Sequence, residues 1–153
     1  FLGDPTGAAF GLWQAKSHNG VGVFNEPGAL CWNELHTSDY ELSQAFYGQV
    51  FGYTLTEIGD ENFTYSTFSL PGTGPDAAVG GISHDTNKPD GMPNYWLTWF
   101  AVADCDASVA TASSHGAQVI MPPSDSPFGR MSVVQGPQGE VFGLIAMPTA
   151  AAG

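Results

Sequence analysis

Residues 31–57 read CWNELHTSDYELSQAFYGQVFGYTLTE, and this stretch decides the fold because it predicts a strand, a turn, an amphipathic helix and a second strand in succession. Ser38 or Asp39 is the expected N-cap of the helix, and Gly52 is expected to end it. The apolar residues between them recur at spacings of three, four and one, which places them on one side of a helical period. The expected buried face of the helix consists of Leu42, Ala45, Phe46, Val50 and Phe51.

The strand before the helix has two chemically different faces. Because side chains alternate along a strand, Trp32, Glu34 and His36 share one face, and Leu35 belongs to the other. We expect the Leu35 face to pack beneath the helix. The indole of Trp32, the carboxylate of Glu34 and the imidazole of His36 then point away from the helix, toward the concave side of the sheet.

The second half of the chain echoes the first half at an offset of 65 positions. Residues 95–102 match the first strand, Asp104 matches Asp39, and the turn 136–139 matches the turn 71–74. The order of one strand, one helix and three strands is therefore predicted twice between residues 28 and 147. The expected core is drawn from both halves and consists of Leu35, Leu42, Phe46, Phe51, Phe68, Phe100, Val102, Phe142 and Leu144.

Part of the last predicted strand and of the turn before it, residues 137–144, recurs at the amino-terminal end of the chain. Residues 1–14 are predicted to form a strand that closes an upstream domain, mostly missing here, and to pair with an edge of this domain or of a neighbouring copy. Residues 15–27 have no apolar periodicity and are predicted to be a linker, and residues 148–153 a tail. The copied positions are Pro5, Gly7, Phe10, Gly11 and Leu12, which recur as Pro137, Gly139, Phe142, Gly143 and Leu144 at an offset of 132.

The charge balance of the chain excludes two classes of partner. Its 15 acidic residues outnumber Lys16, Lys88 and Arg130 so strongly that the net charge is −12, and nucleic acid and anionic membrane surfaces are therefore repelled. The sequence also lacks an apolar run of about 18 residues that could span a membrane. The acidic surface either favours cationic ligands or serves solubility alone.

The two cysteines indicate whether the chain belongs in a reducing or an oxidising cell compartment. Cys31 and Cys105 fall in different predicted elements and form no CxxC pair, so the sequence indicates neither a zinc knuckle nor a redox motif. We expect two buried thiols in a reducing cytoplasm. With 42% hydrophobic residues, the chain has enough apolar material for one compact core.

Two segments resemble landmarks of a known family. TSDYELSQAFYGQVFGY, residues 37–53, is similar to the first helix of the vicinal oxygen chelate superfamily, and PFGRMSVVQGPQGEVFGL, residues 127–144, is similar to its closing hairpin. This superfamily is also called the glyoxalase, bleomycin-resistance and extradiol dioxygenase superfamily. The resemblance implies an α+β fold in which paired βαβββ modules, at about 28–84 and 94–147, form an open β-barrel-like sheet around a pocket with helices outside. It further implies that residues 28–147 are the second domain of a two-domain member.

The resemblance also implies where a metal would be held. Metal-dependent members place a His, Gln or Glu early on the first strand of each module and a Glu near the middle of the last strand. In this sequence those positions hold Trp32, Leu97 and Gly143, with Gly11 at the same place in the amino-terminal copy, and none of these side chains can ligate a divalent ion. The fourth position, within residues 77–83, offers no side-chain ligand stronger than Ser83. We therefore expect no metal cofactor.

Aromatic and acidic side chains are the candidates for a binding pocket. Trp32, Trp99 and Phe128 could stack on a planar or cationic ligand, although aromatic residues on a sheet also serve as plain core. A Glu34 partly desolvated by the two indoles could act as a general base, or it could simply accept hydrogen bonds from neighbouring strands. His36 shares the strand face of Glu34 and completes the predicted lining.

Arg130 is the remaining candidate for ligand binding, because it is the sole arginine of the chain and follows the segment Pro127-Phe128-Gly129. It could anchor a carboxylate or a phosphate by a bidentate contact. It could equally pair with Asp125 or Glu140 as a structural tie. The ligand-binding residues predicted from the sequence are Trp32, Glu34, His36, Trp99, Phe128 and Arg130.

Three functions are compatible with this sequence. The first is a metal-independent domain, without a cofactor, that binds a small organic molecule in an aromatic pocket. The second is a metal-dependent lyase, isomerase or dioxygenase that holds a divalent ion with Glu34, His36 and His84. The third is an interaction role, through a homodimer or through pairing with the missing upstream domain. Fold membership alone does not decide among them.

Overall fold

The computed structural model describes residues 1–18, 20–61, 63–86, 88 and 91–148. The predicted tail falls outside the described residues beyond position 148. The chain divides into two compact units. The first unit consists of Phe1–His18 and Trp32–Leu97, and the second unit consists of residues 20–31 and 98–148.

The first module has the predicted order of one strand, one helix and three strands. Strand β3 (Leu30–Thr37) pairs in parallel with the last strand of the module, β6 (Ala78–His84). The strand order in the sheet is β4 (Thr54–Glu57), β5 (Tyr65–Ser69), β6 and β3. A single 3₁₀ turn, Pro75–Ala77, precedes β6. Helix α1 (Tyr40–Phe51) lies between β3 and β4 in the chain.

The second module repeats the order and pairing of the strands and the α-helix. Its first strand, β7 (Tyr95–Ala101), pairs in parallel with its last strand, β10 (Val141–Ala146). The strand order is β7, β10, β9 (Gly129–Gln135) and β8 (Gln118–Ser126). The prediction of an α+β fold built from paired βαβββ modules is therefore confirmed. Helix α2 (Cys105–Ser114) lies between β7 and β8 in the chain.

Both helices begin and end for identifiable reasons. Asp39 is the N-cap of α1, since its side chain accepts a hydrogen bond from the Leu42 amide, and Asp104 caps α2 in the same way. Gly52 ends α1 in the left-handed region at φ 68°, which favours glycine. Neither α1 nor α2, the two described α-helices, is long and apolar enough to cross a membrane.

The buried face of α1 differs from the prediction. Tyr40, Ser43 and Tyr47 are buried, whereas Leu42 and Val50 are 41% and 56% exposed. The tyrosines can be buried because their hydroxyls find partners: the Tyr40 hydroxyl, for example, donates to Glu57 at 2.7 Å. The prediction was wrong because the predicted apolar set did not include Tyr40 and Tyr47. Of the other predicted helix residues, Ala45 is exposed, and Phe46 and Phe51 are partly buried against the first core.

Each unit has its own core. Leu35, Phe68 and Leu144 are buried as predicted, while Phe100, Val102 and Phe142 are partly buried beside the second core. Phe100 and Phe142 contact each other edge to face with their ring centroids 5.8 Å apart. The buried side chains are Ala8, Leu35, Tyr40, Tyr47, Phe68 and Ile82 in the first core, and Cys105, Val109, Val134 and Leu144 in the second.

The amino-terminal segment forms a small hairpin, whereas a longer strand pairing with a sheet edge was predicted. Strand β1 (Leu2–Gly3) pairs antiparallel with β2 (Ala9–Phe10), and β2 ends at Phe10. The chain reverses because one carboxylate oxygen of Asp4 accepts hydrogen bonds from the amides of Thr6 and Ala8. The other oxygen accepts the Tyr47 hydroxyl at 2.9 Å, which fixes the hairpin to α1.

We expect Tyr47→Ala to lower the free energy of unfolding by about 3–5 kcal/mol, because it removes a buried ring and a hydroxyl that serves both Asp4 and Trp96. Leu42→Ala, on the exposed side of the same helix, should cost less than about 1 kcal/mol. Denaturant unfolding of the two variants measures the difference. Equal losses would contradict the observed helix face.

Candidate functional site

A chain of hydrogen bonds runs across the face of β3 that points away from α1. The Trp32 indole N–H donates to the Tyr65 hydroxyl at 2.8 Å, and this hydroxyl donates to Oε2 of Glu34 at 3.0 Å. Oε1 of Glu34 lies 2.9 Å from Nε2 of His36. Leu35, between them in sequence, packs in the first core on the opposite face. The predicted parity of the strand therefore holds, and three of the predicted site residues lie together.

His36 lies between two carboxylates and against an aromatic ring. Its Nδ1 is 3.4 Å from Oδ2 of Asp85, while its Nε2 faces Glu34. The imidazole stacks on Tyr95 with ring centroids 4.9 Å apart and an interplanar angle of 5°. A neutral imidazole can donate from one nitrogen only, whereas the protonated ring donates from both. In this arrangement each ring nitrogen of His36 faces a carboxylate oxygen.

Tyr65 is the functional candidate that the sequence reasoning missed. Burial, followed by the nearby charge of Glu34, raises its pKa, so the phenol stays a hydrogen-bond donor. Its ring lies over Gly81, where a Cβ atom would collide with the phenol. The available signal was the Gly80-Gly81 pair in a predicted strand, since glycine there often marks a close approach by another group.

The second module repeats this packing of a ring over a glycine. Gly81 pairs with Glu34 in the ladder of the first module, and Gly143 pairs with Trp99 in the ladder of the second. A Cβ atom on Gly143 would collide with the Trp99 indole, whose residue is 4% exposed. Aromatic rings therefore fill the space at both of these glycines.

This packing bears on the metal that the family resemblance implies. The last-strand position expected to hold a ligating Glu is Gly143, with a ring over it, and the first-strand positions are Trp32 and Leu97. An indole, an alkyl chain and a hydrogen atom are not metal donors. The residues present at these positions do not fit a divalent ion.

The alternative metal set is only partly assembled. Glu34 and His36 are adjacent, but both carboxylate oxygens of Glu34 already have partners in His36 and Tyr65. His84 stacks on Tyr40, with ring centroids 6.0 Å apart. Among the residues that the structure describes, no group of three His, Cys, Asp or Glu side chains is arranged to hold a metal ion. The absence of a metal cofactor remains a prediction.

A cleft of about 440 Å³ opens beside His36 within the first unit. Three of its side chains are carboxylates, and Phe63 supplies an aromatic ring. The cleft therefore presents negative charge and an apolar surface together, next to the hydrogen-bonded face of β3. Its lining consists of His36, Asp60, Glu61, Phe63, Thr64, Ser83, His84, Asp85 and Thr86.

The other predicted site residues belong to the second unit. The Arg130 guanidinium forms an ion pair with Asp106 and contacts Asp125 at 3.1 Å, so one of the two acidic partners considered for it is present. Hydrogen bonds from Arg130 lower the pKa of Asp106. Phe128 is 52% exposed in the turn between β8 and β9. A ligand-binding role for Trp99, Phe128 and Arg130 remains a prediction.

Comparisons of sequence identify a family. Residues 12–144 match the sequence model described as Glyoxalase/Bleomycin resistance protein/Dioxygenase superfamily. The "Putative glyoxylase CFP32" of Mycobacterium bovis is 44% identical over 146 residues, which are 95% of this chain and 54% of that protein. The "Anthracycline biosynthesis protein DauV" of Streptomyces sp. is 31% identical over 154 residues, covering 98% of this chain and 54% of that protein. The chain thus spans about half the length of these curated relatives.

Comparisons of structure agree on the fold. Methylmalonyl-CoA epimerase from Mycobacterium tuberculosis superposes with a TM-score of 0.54 at 16% identity, covering 78% of this chain and 88% of the epimerase. The hypothetical protein BH1468 from Bacillus halodurans gives a TM-score of 0.58 at 10% identity, covering 81% of this chain and 97% of that one. Identities this low show a shared fold and nothing about shared chemistry.

Gly81→Ala should disrupt the site, because the added methyl group displaces Tyr65 from between Trp32 and Glu34. We expect a loss of about 1–3 kcal/mol in the free energy of unfolding, together with a changed tryptophan emission spectrum. Gly74→Ala is the matched control, since open space surrounds that position, and it should change the free energy by less than about 0.5 kcal/mol. Indistinguishable variants would refute the close approach.

Stability should fall in alkaline solution, because burial raises the pKa of every tyrosine in the chain. The pKa of Tyr40 rises to about 12. In the unfolded chain each phenol ionises at about pH 10. The tyrosine contribution is therefore complete below about pH 10 and is lost as the pH rises from there toward the folded-state values. Ultraviolet difference titration of folded and unfolded protein measures this, and coincident curves would contradict it.

Proposed function

This chain belongs to the Glyoxalase/Bleomycin resistance protein/Dioxygenase superfamily, and from that premise we propose that it binds a small organic molecule without a metal ion. The site is the face of β3 that carries Trp32, Glu34 and His36, together with the adjoining cleft. Few polar groups, fixed in position and set among aromatic rings, are typical of a small-molecule site.

The hydrogen-bond chain from Trp32 through Tyr65 and Glu34 to His36 is the observation that carries this proposal. Holding a carboxylate in one orientation costs conformational entropy when the side chain is otherwise mobile. Tyr65 and His36 have already fixed Glu34 in the folded protein, so a ligand need not order it. A carboxylate has about four lone-pair sites, and Tyr65 and His36 use one on each oxygen, so the fixed Glu34 can still accept a hydrogen bond from a donor at one place on the ligand.

The charge of the cleft favours a neutral or cationic ligand. Asp60, Glu61 and Asp85 line it, and the chain as a whole carries a net charge of −12. The Phe63 ring in the lining, and the Tyr95 ring stacked on His36, suit a planar ligand. A flat aromatic molecule with an amino group combines these features, and the anthracycline biosynthesis protein among the relatives supports an aromatic ligand.

A metal-dependent lyase, isomerase or dioxygenase is the second candidate. The contact between Glu34 and His36, and the presence of His84 with His36 in one cleft, favour it. It would require Glu34 to exchange its bond to Tyr65 or to His36 for a bond to the ion. Elemental analysis of protein purified without added metal or chelator separates the two candidates.

The thiols support a cytoplasmic location. Cys31 and Cys105 are both free cysteines, and burial raises the pKa of each thiol. Raised pKa values keep the reactive thiolate scarce. Two unreactive single thiols suit a reducing compartment, and we infer the cytoplasm on this ground.

We expect the protein to bind a member of a panel of planar aromatic amines that includes an anthracycline, as measured by native mass spectrometry and tryptophan fluorescence. Glu34→Gln should weaken that binding at least tenfold, about 1.4 kcal/mol, because the amide replaces one acceptor oxygen by a donor. Glu41→Gln removes the same charge at an exposed position on α1 and serves as the matched control.

Two results would contradict the proposal. One is an equal loss of ligand affinity in Glu34→Gln and Glu41→Gln, which would mean that the loss reflects the changed net charge and no direct contact with Glu34. The other is stoichiometric zinc, iron or manganese that is lost in Glu34→Gln and in His36→Asn. That result would favour the second candidate, a metal-dependent enzyme.

A further inference from the structure

The amino-terminal hairpin copies the closing hairpin of the second module in register as well as in sequence. Leu2 pairs with Phe10 in β1–β2, and Val134 pairs with Phe142 in β9–β10, at the same offset of 132 that the sequence shows. Gly7 and Gly139 adopt nearly equal left-handed φ angles of 93° and 94° in the two turns.

The hydrogen bonds that close the two turns are also equivalent. The Asp4 amide donates to the Ala8 carbonyl at 2.9 Å, and the Gly136 amide donates to the Glu140 carbonyl at 2.7 Å. Agreement of register, turn conformation and closing bonds means that the amino-terminal hairpin has the structure of the last hairpin of a βαβββ module.

The second module shows what covers such a hairpin. After Phe142, β10 continues as Gly143, Leu144 and Ile145, which pair in parallel with β7. Leu144 and Ile145 are 7% and 9% exposed, and Leu144 packs in one core with residues of α2. The first strand and the helix of the module thus bury this continuation.

In the amino-terminal copy the corresponding continuation is uncovered. Leu12 and Trp13 stand where Leu144 and Ile145 stand, yet they are 65% and 63% exposed. The backbone leaves strand conformation at Phe10. Beside these residues the first unit has an aromatic groove of about 290 Å³. The groove is lined by Phe10, Gly11, Leu12, Trp13, Tyr47, Phe51, Tyr53 and Trp96.

We propose that residues 11–14 are an interaction surface whose partner is a βαβββ module that lacks its own closing hairpin. The first strand of that module would pair in parallel with residues 11–14, and its helix would cover Leu12, as β7 and α2 do for the equivalent residues of β10. A second copy of this chain does not suit the surface, because its β3 and β7 already pair with β6 and β10.

The length of the relatives fits such a partner. This chain covers 54% of the mycobacterial relative, so the unmatched remainder of that protein is nearly as long as the matched part. A polypeptide of that size can hold further βαβββ modules. The proposal does not depend on the small-molecule site, since β3 and its polar face take no part in it.

The test adds the unmatched remainder of the mycobacterial relative, as a purified polypeptide, to this full chain. We expect a complex by sedimentation, at least tenfold slower amide exchange at residues 11–14, and a gain of circular dichroism if the remainder alone is incompletely folded. Leu12→Asp should weaken the complex at least tenfold. Leu70→Asp, at another exposed leucine of the first unit, is the matched control and should leave it intact.

Other outcomes overturn the proposal. These are the absence of a complex, a complex that leaves exchange at residues 11–14 unchanged, and equal effects of Leu12→Asp and Leu70→Asp. A dimer of this chain alone that Leu12→Asp dissociates would also overturn it, because the surface would then belong to a second copy. Circular dichroism of Leu12→Asp alone verifies that the variant is folded.

Discussion

The packing of the Tyr65 ring over Gly81 is the constraint on which the candidate site depends. No other residue type leaves room for the phenol there, since any Cβ atom would collide with it. The ring in turn lets one hydroxyl serve both Trp32 and Glu34. Glu34 then holds His36, and the strand face acquires one defined arrangement. The missing side chain of Gly81 on β6 thus determines how Glu34 and His36 are held on the neighbouring strand, β3.

The packing of an aromatic ring over a glycine appears in both modules. Gly81 and Gly143 occupy equivalent ladder positions, and each lies beneath an aromatic ring. The resemblance implies a carboxylate side chain at position 143, but this chain has Gly143 there, and the Trp99 indole fills the space. In the first module, Trp32, Tyr65, Glu34 and His36 are hydrogen-bonded to one another.

Local patterns in the sequence predicted the features that depend on local geometry. Strand parity placed Trp32, Glu34 and His36 on one face, and the capping role of Asp39 follows from its side chain and position. Tyr65 could not be predicted, because it lies 31 positions from Glu34 and only the register of three strands brings them together. The buried face of α1 was misjudged because burial of Tyr47 depends on Asp4 and Trp96, which are also distant in sequence.

A double-mutant cycle on Tyr65→Phe and His36→Asn, measured on affinity for the tightest-binding molecule of the aromatic amine panel, tests the central claim most directly. If Trp32, Tyr65, Glu34 and His36 act as one preorganised unit, the two substitutions are not additive, and their coupling energy should be about 0.5–3 kcal/mol. Each single change would then already release Glu34 from its fixed orientation. Strictly additive effects would contradict the account, because they would mean that the two residues act on the ligand independently.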